Sequence, residues 1–270
     1  MTIPKLSIIT INYNNAVGLQ KTLESVNNQT FVDYEYIIID GGSTDGSREL
    51  IEKQRDKLTY WVSEKDTGIY NAMNKGIKAS SGDYLIFLNS GDTLYANTTL
   101  EEIFKNNLHN REIIYGSACF LKNEKQTIMQ FPEKLNMSFF MRDMICHQAM
   151  LFKKNIFEKH GIYDEKYKLS SDWLLLVKAL YNNATYMRID SVICVYDCQG
   201  ATSSVPGTIL LYNERRAMLD EYFKFISKDM RDLDKLDYEI TAIRSLFIVR
   251  AFKKFKNIFR KQNLNSKVEG

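Results

Sequence analysis

The chain has 270 residues, 44% of them hydrophobic, which is enough to bury a core of domain size. Its 36 basic and 33 acidic residues nearly cancel, so the net charge of +3 indicates no class of partner by itself. No apolar run approaches the roughly 20 residues that span a bilayer, and the N-terminus, MTIPKLSIIT, lacks a signal-peptide pattern, so we expect a cytoplasmic protein.

The first 100 residues alternate two kinds of segment. Short apolar runs, LSIITI, YIIID, LTYWVS and YLIFL, are separated by amphipathic stretches such as AVGLQKTLESVNNQ. This alternation predicts β-strands joined by helices in a parallel, doubly wound α/β sheet. The strand YLIFL is predicted to be central, because an uninterrupted apolar run is typical of a strand that is buried on both faces.

The order becomes irregular after residue 110. Further strands are predicted around EIIYGSACFL, KQTIMQF and TYMRIDSVICVYD, which favours a mixed sheet. The turn formers in VPG, residues 205–207, punctuate the chain, and the pattern beyond them is helical through residue 261. We therefore predict a catalytic domain at residues 1–205 and a helical extension at residues 206–270.

The extension contains a strongly basic segment, RSLFIVRAFKKFKNIFRK, at residues 244–261. Its aromatic and aliphatic residues follow helical spacing, while its Lys and Arg residues form a polar face. Such a helix could lie on an anionic membrane surface, or it could dock on its own domain and leave its charges in water. A single basic tail segment without a recognised binding module does not indicate nucleic-acid binding.

The cysteines Cys119, Cys146, Cys194 and Cys198 form no Cys-x-x-Cys pair and have no histidine at zinc-ligand spacing. We therefore expect reduced thiols without a chemical role.

Four predicted strands end in polar residues. They end at Asn12-Tyr13-Asn14, at Asp40, near Asp66, and at Asn89-Ser90-Gly91-Asp92. Each set could be only a turn, because Asn, Ser, Gly and Asp are common turn residues. Together at one edge of a parallel sheet, however, they would form a polar crevice of the kind that holds nucleotides.

The sequence contains neither a Gly-x-Gly-x-x-Gly motif nor a P-loop, so it supports neither dinucleotide redox chemistry nor a P-loop phosphate site. A bound diphosphate would then need another source of positive charge. A divalent cation held by a carboxylate at a strand end, such as Asp92, would supply it.

These segments together resemble glycosyltransferase family 2, which has the GT-A fold. The resemblance covers about residues 5–200 and rests on SIITINYNN, IIIDGGSTDGS, EKDTGIYNAMNKGIKASSGDYLIFLNSGD, HQAMLF and GIYDEKYKLSSDWLLLVKAL. It implies a Rossmann-like, mixed and mostly parallel sheet flanked by helices, with the C-terminal helical extension added.

The resemblance also implies site residues. The donor-binding residues would be Ile11, Tyr13, Asn14, Asp40, Asp66, Asn74, Lys75, Asn89 and Ser90, with Tyr13 and Asp40 at the base. Asp92 would hold Mn²⁺ or Mg²⁺ at the donor diphosphate. The sequence departs from the family pattern where Asn89 and Gly91 replace aspartates, so metal affinity is expected to be modest. It also departs where Met73 replaces an arginine, so base or phosphate contacts are expected to shift to Asn74 or Lys75.

Asp172 matches the catalytic base of the family. The residue pattern alone favours a helix N-cap or first-turn residue, because Asp172 opens an apolar helical run. The resemblance instead implies that Asp172 takes the proton of the acceptor hydroxyl. His147 and Trp173 would lie on the acceptor side, although each could equally be a core residue.

The resemblance thus implies an inverting glycosyltransferase that uses a nucleoside diphosphate sugar, with UDP-sugars favoured. The acceptor would be a glycan or a lipid-linked glycan in polysaccharide or cell-envelope biosynthesis, and homo-oligomers could form. Two other classes stay open at this point: a nucleotide-sugar-binding module without activity, and a sugar-phosphate nucleotidyltransferase.

Overall fold

The structure is a computed structural model and describes residues 4–105, 108, 110–198 and 205–229, together with residues 232 and 235. The chain divides into two compact units, Met1–Arg215 and Arg216–Gly270. The predicted domain boundary at residue 205 stays a prediction, and the predicted basic helix at residues 244–261 lies outside the described residues. In the part of the chain that the structure describes, no helix combines the length and apolarity needed to cross a membrane.

The elements of the described chain follow in sequence order. The strands are β1 Leu6–Asn12, β2 Tyr34–Asp40, β3 Tyr60–Ser63, β4 Tyr84–Asn89, β5 Thr93–Leu94, β6 Ile113–Lys122, β7 Lys125–Met129, β8 Met150–Lys153 and β9 Tyr186–Asp197. The helices are α1 Ala16–Asn27, α2 Ser47–Lys53, α3 Ile69–Ala79, α4 Thr99–Lys105, α5 Met137–Phe140, α6 Asn155–His160, α7 Ser171–Tyr181 and α8 Val205–Tyr222. Two 3₁₀ turns, Arg55–Lys57 and His147–Ala149, complete the set.

The strands form one sheet in the order β3-β2-β1-β4-β8-β6-β9-β5, with β7 paired to β6. The β3-β2-β1-β4 half is parallel, as the alternation of strands and helices predicts. The other half is mixed, since β8 is antiparallel to both β4 and β6, whereas β9 is parallel to β6. The predicted mixed α/β architecture is therefore confirmed.

The core is centred on the first and fourth strands. All residues of β1 are buried, and so are the first five residues of β4. Helix α3 packs closely on β1, because a Cβ on Gly76 would lie only 2.4 Å from Cγ2 of Ile9. Only glycine permits this approach of helix to strand.

Two strands were missed by the sequence analysis. Strand β5 has only two residues, too few to show the alternation or the apolar run by which strands are recognised. Strand β8 follows the 3₁₀ turn His147–Ala149 directly, so no turn residue marks its start. Strand β8 nevertheless joins the two halves of the sheet, because it pairs with β4 on one side and β6 on the other.

A buried carboxylate connects three strands at the edge of the sheet where the parallel strands begin. Glu35 of β2 is only 6% exposed. Its side chain accepts hydrogen bonds from the hydroxyl of Ser7 in β1, from Ser81, and from the backbone N–H of Gly82 just before β4. Burial raises the pKa of Glu35, but these hydrogen bonds outweigh burial and lower the pKa below its ordinary value.

We expect Glu35→Gln to lower the free energy of unfolding by about 1–3 kcal/mol at pH 7, because an amide cannot accept all of these hydrogen bonds. The folded-state pKa is depressed, so the stabilisation is present above the ordinary value of 4.5 and is lost as pH falls through the folded-state pKa. Urea unfolding of the wild-type protein and of Glu35→Gln, at pH 7 and near pH 4, measures the difference in their free energies of unfolding. This difference should be smaller near pH 4.

The matched control is Glu49→Gln in α2, since Glu49 is exposed. If Glu35→Gln lowers the free energy of unfolding no more than this control does, the stabilising role of Glu35 is contradicted.

Candidate active site

The register of the parallel strands brings the predicted polar ends together. Asn12 lies opposite Asp40 in the β1–β2 pair, and Ile11 lies opposite Asn89 in the β1–β4 pair. Asp40 in turn lies opposite Ser63 at the end of β3. The predicted convergence of strand ends at one edge is thus present, with Ile11 buried inside β1.

Asp40 is fully buried, and its predicted contact with the donor base stays a prediction. Its carboxylate accepts hydrogen bonds from the side chains of Asn12 at 2.7 Å, Ser43 at 2.6 Å and Ser63 at 2.6 Å. It also accepts from the backbone N–H groups of Gly42 and Ser43. Burial raises the pKa of Asp40, but these bonds lower it overall. Asp40 therefore organises the loop after β2, because all of its strong acceptor positions are used inside the protein.

An open surface lies just beyond Asp40. Tyr13 is 66% exposed, and its ring stands 3.1 Å from the position that a Cβ on Gly41 would take. The Asp66 carboxylate lies 2.5 Å from that same position. Gly41 therefore leaves a narrow gap between an aromatic ring and a carboxylate. Asn14 anchors the neighbouring loop, since its Oδ1 accepts a hydrogen bond from the backbone N–H of Thr44.

Asn74 and Lys75 do not face this surface with free polar groups. The Asn74 amide is 2% exposed, donates to the carbonyl of Tyr163 at 2.8 Å, and accepts from the N–H of Tyr163 at 3.0 Å. It also donates to Glu165. The Lys75 ammonium pairs with Glu64 at 2.7 Å. The Asn74 amide thus holds the segment before α7, and the predicted donor contacts of Asn74 and Lys75 stay predictions.

A cavity of about 730 Å³ opens beyond the carboxyl ends of the strands. Its wall combines residues that are far apart in sequence: Asn89, Ser90, Asp92, Tyr70, His147, Gln148, Asp172 and Asp197. At its edge lie the charged and exposed residues Arg142, Asp143 and Lys168. Of the predicted donor-binding residues, Asn89 and Ser90 line this cavity, and the others do not.

Asp92 is buried at one end of the cavity with 3% exposure. Its Oδ2 accepts a hydrogen bond from Nε2 of Gln148 at 2.7 Å, and its Oδ1 accepts from the backbone N–H of Asp197 at 3.0 Å. Burial raises the pKa of Asp92 to about 6, despite these bonds. Gln148 was not given a role from the sequence, although HQAMLF lies within the family resemblance.

The residues around Asp92 fit a weakly held Mg²⁺ or Mn²⁺. Among the described residues, no group of three or more His, Cys, Asp or Glu side chains is placed to hold a metal ion. Asp197 lines the cavity beside Asp92, however, and Oδ1 of Asn89 is buried without a hydrogen-bond partner in the described chain. Mg²⁺ is commonly held by one or two carboxylates together with substrate phosphates and water, so this oxygen-rich set suffices.

Asp172 lies in the first turn of α7, as the residue pattern predicts, and it also lines the cavity. Its Oδ1 accepts hydrogen bonds from the Tyr70 hydroxyl at 2.8 Å and from the Trp173 N–H at 2.9 Å. Its Oδ2 lies 3.2 Å from Nδ1 of His147. Burial raises the pKa of Asp172, but the hydrogen bond and charge of His147, with Tyr70 and the Trp173 N–H, lower it overall. Asp172 is therefore held as a carboxylate.

Trp173 does not line the cavity, and its predicted place on the acceptor side stays a prediction. Its side chain is fully buried, and its indole N–H donates to the Phe140 carbonyl at 2.9 Å. The Trp173 side chain points away from the cavity wall that Asp172 faces, since consecutive residues of a helix lie about 100° apart.

Two residues of α8 near the site, Glu214 and Arg215, were not among the predicted site residues. Arg215 lines the cavity, with its guanidinium 5.6 Å from the ring of Trp173 and its Nε buried without a partner in the described chain. Glu214 accepts hydrogen bonds from the backbone N–H groups of Lys168 and Leu169. These residues lie beyond residue 205, where the sequence shows only a helical pattern, so no local signal marked them.

The comparisons with known proteins agree with this geometry. Residues 7–161 match the family described as "Glycosyl transferase family 2". A PGL/p-HBAD biosynthesis glycosyltransferase of Mycobacterium bovis is 30% identical over 198 residues, which cover 72% of this chain and 76% of that protein.

Solved structures of low sequence identity share the fold. S. aureus TarS 1-349 in complex with UDP-GlcNAc has a TM-score of 0.65 at 19% identity, covering 80% of this chain and 66% of that one. A longer TarS chain is matched over only 39% of its length. The mannosyltransferase PcManGT of Pyrobaculum calidifontis, in complex with GDP-Man and Mn²⁺, has a TM-score of 0.54 at 17% identity, covering 73% of this chain and 57% of that one.

The order of the mixed sheet and the likeness to these structures thus define a protein with the GT-A fold. The chain belongs to glycosyl transferase family 2, and it is a glycosyltransferase.

The predicted contact of Asn74 with the donor has a direct test. We expect Asn74→Ala to lower the free energy of unfolding by about 1–3 kcal/mol, because it leaves the buried N–H and carbonyl of Tyr163 without partners. The affinity for UDP, measured by titration calorimetry, should change less than about twofold, since the amide does not face the donor. Asn71→Ala, one turn earlier, is the control: Asn71 makes a single exposed hydrogen bond to Glu165. A large loss of UDP affinity in folded Asn74→Ala would restore the donor-binding assignment.

Proposed function

We propose that the chain is an inverting glycosyltransferase that moves a sugar from a nucleoside diphosphate sugar to a hydroxyl of a glycan or lipid-linked acceptor. The observation that carries this proposal is the cavity that Asp92 and the buried Asp172–His147 pair share. A diphosphate-holding end and a proton-accepting end in one cavity are what single-displacement sugar transfer requires. The named relative in PGL/p-HBAD biosynthesis supports the proposal of a role in polysaccharide or cell-envelope biosynthesis.

The donor base would lie on the surface around Gly41. The exposed ring of Tyr13 offers a stacking face, and the Asp66 carboxylate offers a hydrogen-bond acceptor within the same narrow gap. A uracil base presents one imide N–H to such an acceptor. The TarS structures with UDP and UDP-GlcNAc support a UDP-sugar as the first donor to test.

The leaving diphosphate would lie at Asn89, Ser90 and Asp92, where the central strand ends at the cavity wall. Asp92 and Asp197 would hold Mg²⁺ or Mn²⁺ there, with Asn89 as a further oxygen ligand. When bound, the cation offsets the negative charge that develops on the diphosphate. Burial of Asp92 strengthens this interaction, because charges attract more strongly in a low-dielectric wall than in water.

The acceptor hydroxyl would enter from the rim that Arg142, Asp143 and Lys168 form, and would meet the Asp172–His147 pair. As the hydroxyl oxygen bonds to the anomeric carbon, the pair takes its proton, and the diphosphate leaves from the opposite side of the ring. A single displacement of this kind inverts the anomeric configuration.

A nucleotide-sugar-binding module without transfer is the second candidate. The feature that favours it is the reduced acidic motif, in which Asn89 and Gly91 stand where the family pattern has aspartates. The presence of a hydrogen-bonded, buried carboxylate at the acceptor end favours catalysis over this alternative.

The proposal predicts different outcomes for the two carboxylates. Asp172→Asn should lower the turnover number by about 10²- to 10⁴-fold and leave UDP affinity unchanged, because only proton transfer is lost. Asp92→Ala should weaken both turnover and metal-dependent UDP binding. UDP release from a panel of UDP-sugars with Mn²⁺ or Mg²⁺, and calorimetry with UDP, measure the two effects.

The control for general damage is Asp143→Asn at the exposed rim, which should keep normal UDP binding. Wild-type protein that binds UDP with metal but releases no UDP from any sugar donor, with or without glycan acceptors, would favour the binding module. Near-normal turnover by Asp172→Asn would refute the assignment of the Asp172–His147 pair as the proton acceptor.

The basic segment at residues 244–261 remains a sequence-based proposal for peripheral membrane contact, in keeping with a lipid-linked acceptor. We expect the full chain to co-sediment with vesicles that contain anionic phospholipid, and a chain ending at residue 243 to do so much less, because it lacks the seven basic residues of the segment. Neutral vesicles are the control. Equal sedimentation of the two chains would contradict the proposal.

A further inference from the structure

Arg215 of α8 places a positive charge in the wall of the cavity. The residue is mostly buried, and its guanidinium lies 5.6 Å from the ring of Trp173. Its Nη2 donates to Sδ of Met144 at 3.4 Å. In the described chain, Nε is the only nitrogen of this guanidinium that is buried without a partner, so an incoming group would meet the terminal nitrogens Nη1 and Nη2.

These surroundings do not neutralise the charge of Arg215. An arginine keeps its charge in proteins and carries five N–H donors. The sulfur of Met144 is a weak acceptor, and the ring of Trp173 attracts the cation without removing its charge. Because buried charges are normally paired with an opposite charge, an anion that enters the cavity would complete this site.

The nearby carboxylates influence Arg215 but do not pair with it. Burial lowers the pKa of Arg215, whereas the negative charges of Asp172 and Asp143 raise it. The Asp172 oxygens are already engaged by the Tyr70 hydroxyl and by His147. Arg215 therefore offsets the field of Asp172 from a short distance, and without it the Asp172 carboxylate would repel an anionic acceptor.

The residue before Arg215 holds this cation in position. Glu214 is 9% exposed and accepts hydrogen bonds from the backbone N–H groups of Lys168 at 2.6 Å and Leu169 at 2.9 Å. These bonds join α8 to the segment that leads into α7, where Asp172 lies. The guanidinium is thus held near Asp172 before a ligand arrives, which lowers the entropic cost of binding.

The opening of the cavity adds further positive charge. Arg142 and Lys168 are exposed there, and Asp143 is the one acidic residue among these three. Arg142 donates to the carbonyl and the hydroxyl of Ser138, which are neutral acceptors and leave its charge in place. An anion is attracted to such an opening at long range. Arg215 is more buried than the rim residues, so salt screens its charge less.

We propose that Arg215 binds an oxyanion of the acceptor, a phosphate or a carboxylate, through Nη1 and Nη2, and that the acceptor is therefore anionic. The planar end of a guanidinium matches two oxygens of either group, and a charged oxygen is a far stronger acceptor than the Met144 sulfur. This inference rests on the proposed glycosyl transfer and names the chemical class of its acceptor. Asp172 and His147 keep their roles at the reacting hydroxyl.

The first experiment detects anion binding at Arg215 without transfer. Nitrogen-15 correlation spectra of the full chain report the arginine Nε–H groups, and the Arg215 signal is assigned by its absence from Arg215→Gln. Saturating UDP and Mg²⁺ occupy the donor site, and the ionic strength is held constant. We expect a saturable shift of the Arg215 signal with glucose 1-phosphate or with glucuronate, and none with methyl glucoside.

The anion that binds more tightly identifies phosphate or carboxylate as the group that is recognised. If neither anion shifts the Arg215 signal saturably, the inference is overturned.

The second experiment compares variants by equilibrium dialysis with the radiolabelled anion that binds more tightly. Arg215→Gln should raise its dissociation constant about 10- to 100-fold, because a charge-assisted contact is lost. Arg215→Lys should give a smaller increase, since it keeps the charge but not the planar fork. UDP affinity should stay unchanged in both variants, which also shows that they are folded. Arg55→Gln is the control, because Arg55 is exposed and does not line the cavity.

The two proposals fail in different ways. Equal anion affinity of Arg215→Gln and the wild-type protein would overturn the role of Arg215, and release of UDP from a UDP-sugar by the same protein would leave the proposed transfer in place. Failure of the wild-type protein to consume any nucleotide sugar would instead refute the transfer, and dialysis would still measure the anion site.

Discussion

The in-register parallel pairing of β1 with β2 and β4 is the constraint on which the rest of the site depends. Because parallel strands end at the same edge, this register places Asn12 opposite Asp40 and Ile11 opposite Asn89. A shift of one residue would turn every side chain of a strand to the other face. The buried Glu35 network fixes the opposite edge of these strands, so the register is defined at both ends.

The fold was predictable because its signals are local and repeated. Long apolar runs and amphipathic stretches alternate through the first 100 residues, and each indicates its element without help from distant parts of the chain. Strand β5 has only two residues and β8 follows a 3₁₀ turn directly, so neither carries such a signal. The position of each strand depends on pairing with neighbouring strands of the sheet, and a local sequence pattern does not contain that information.

The site was predictable by position but less so by orientation. Asp40 and Asn74 were expected to face the donor, yet the hydrogen-bond partners that turn them inward come from Ser63 and from the segment around Tyr163. A polar residue at a strand end can bind a ligand or stabilise a loop. Which of the two it does depends on hydrogen-bond partners that are remote in sequence. Asp172 shows that the two roles can also coincide, since it is both a first-turn helix residue and part of the cavity wall.

The short turn His147–Ala149 links two carboxylates that line the cavity. His147 contacts Asp172 and Gln148 donates a hydrogen bond to Asp92, so adjacent residues connect the two groups. The charged residues Arg142, Asp143 and Lys168 lie outside that turn. Substitutions of these three residues would therefore change the surface that meets an incoming molecule while the contacts of the two carboxylates stay as they are.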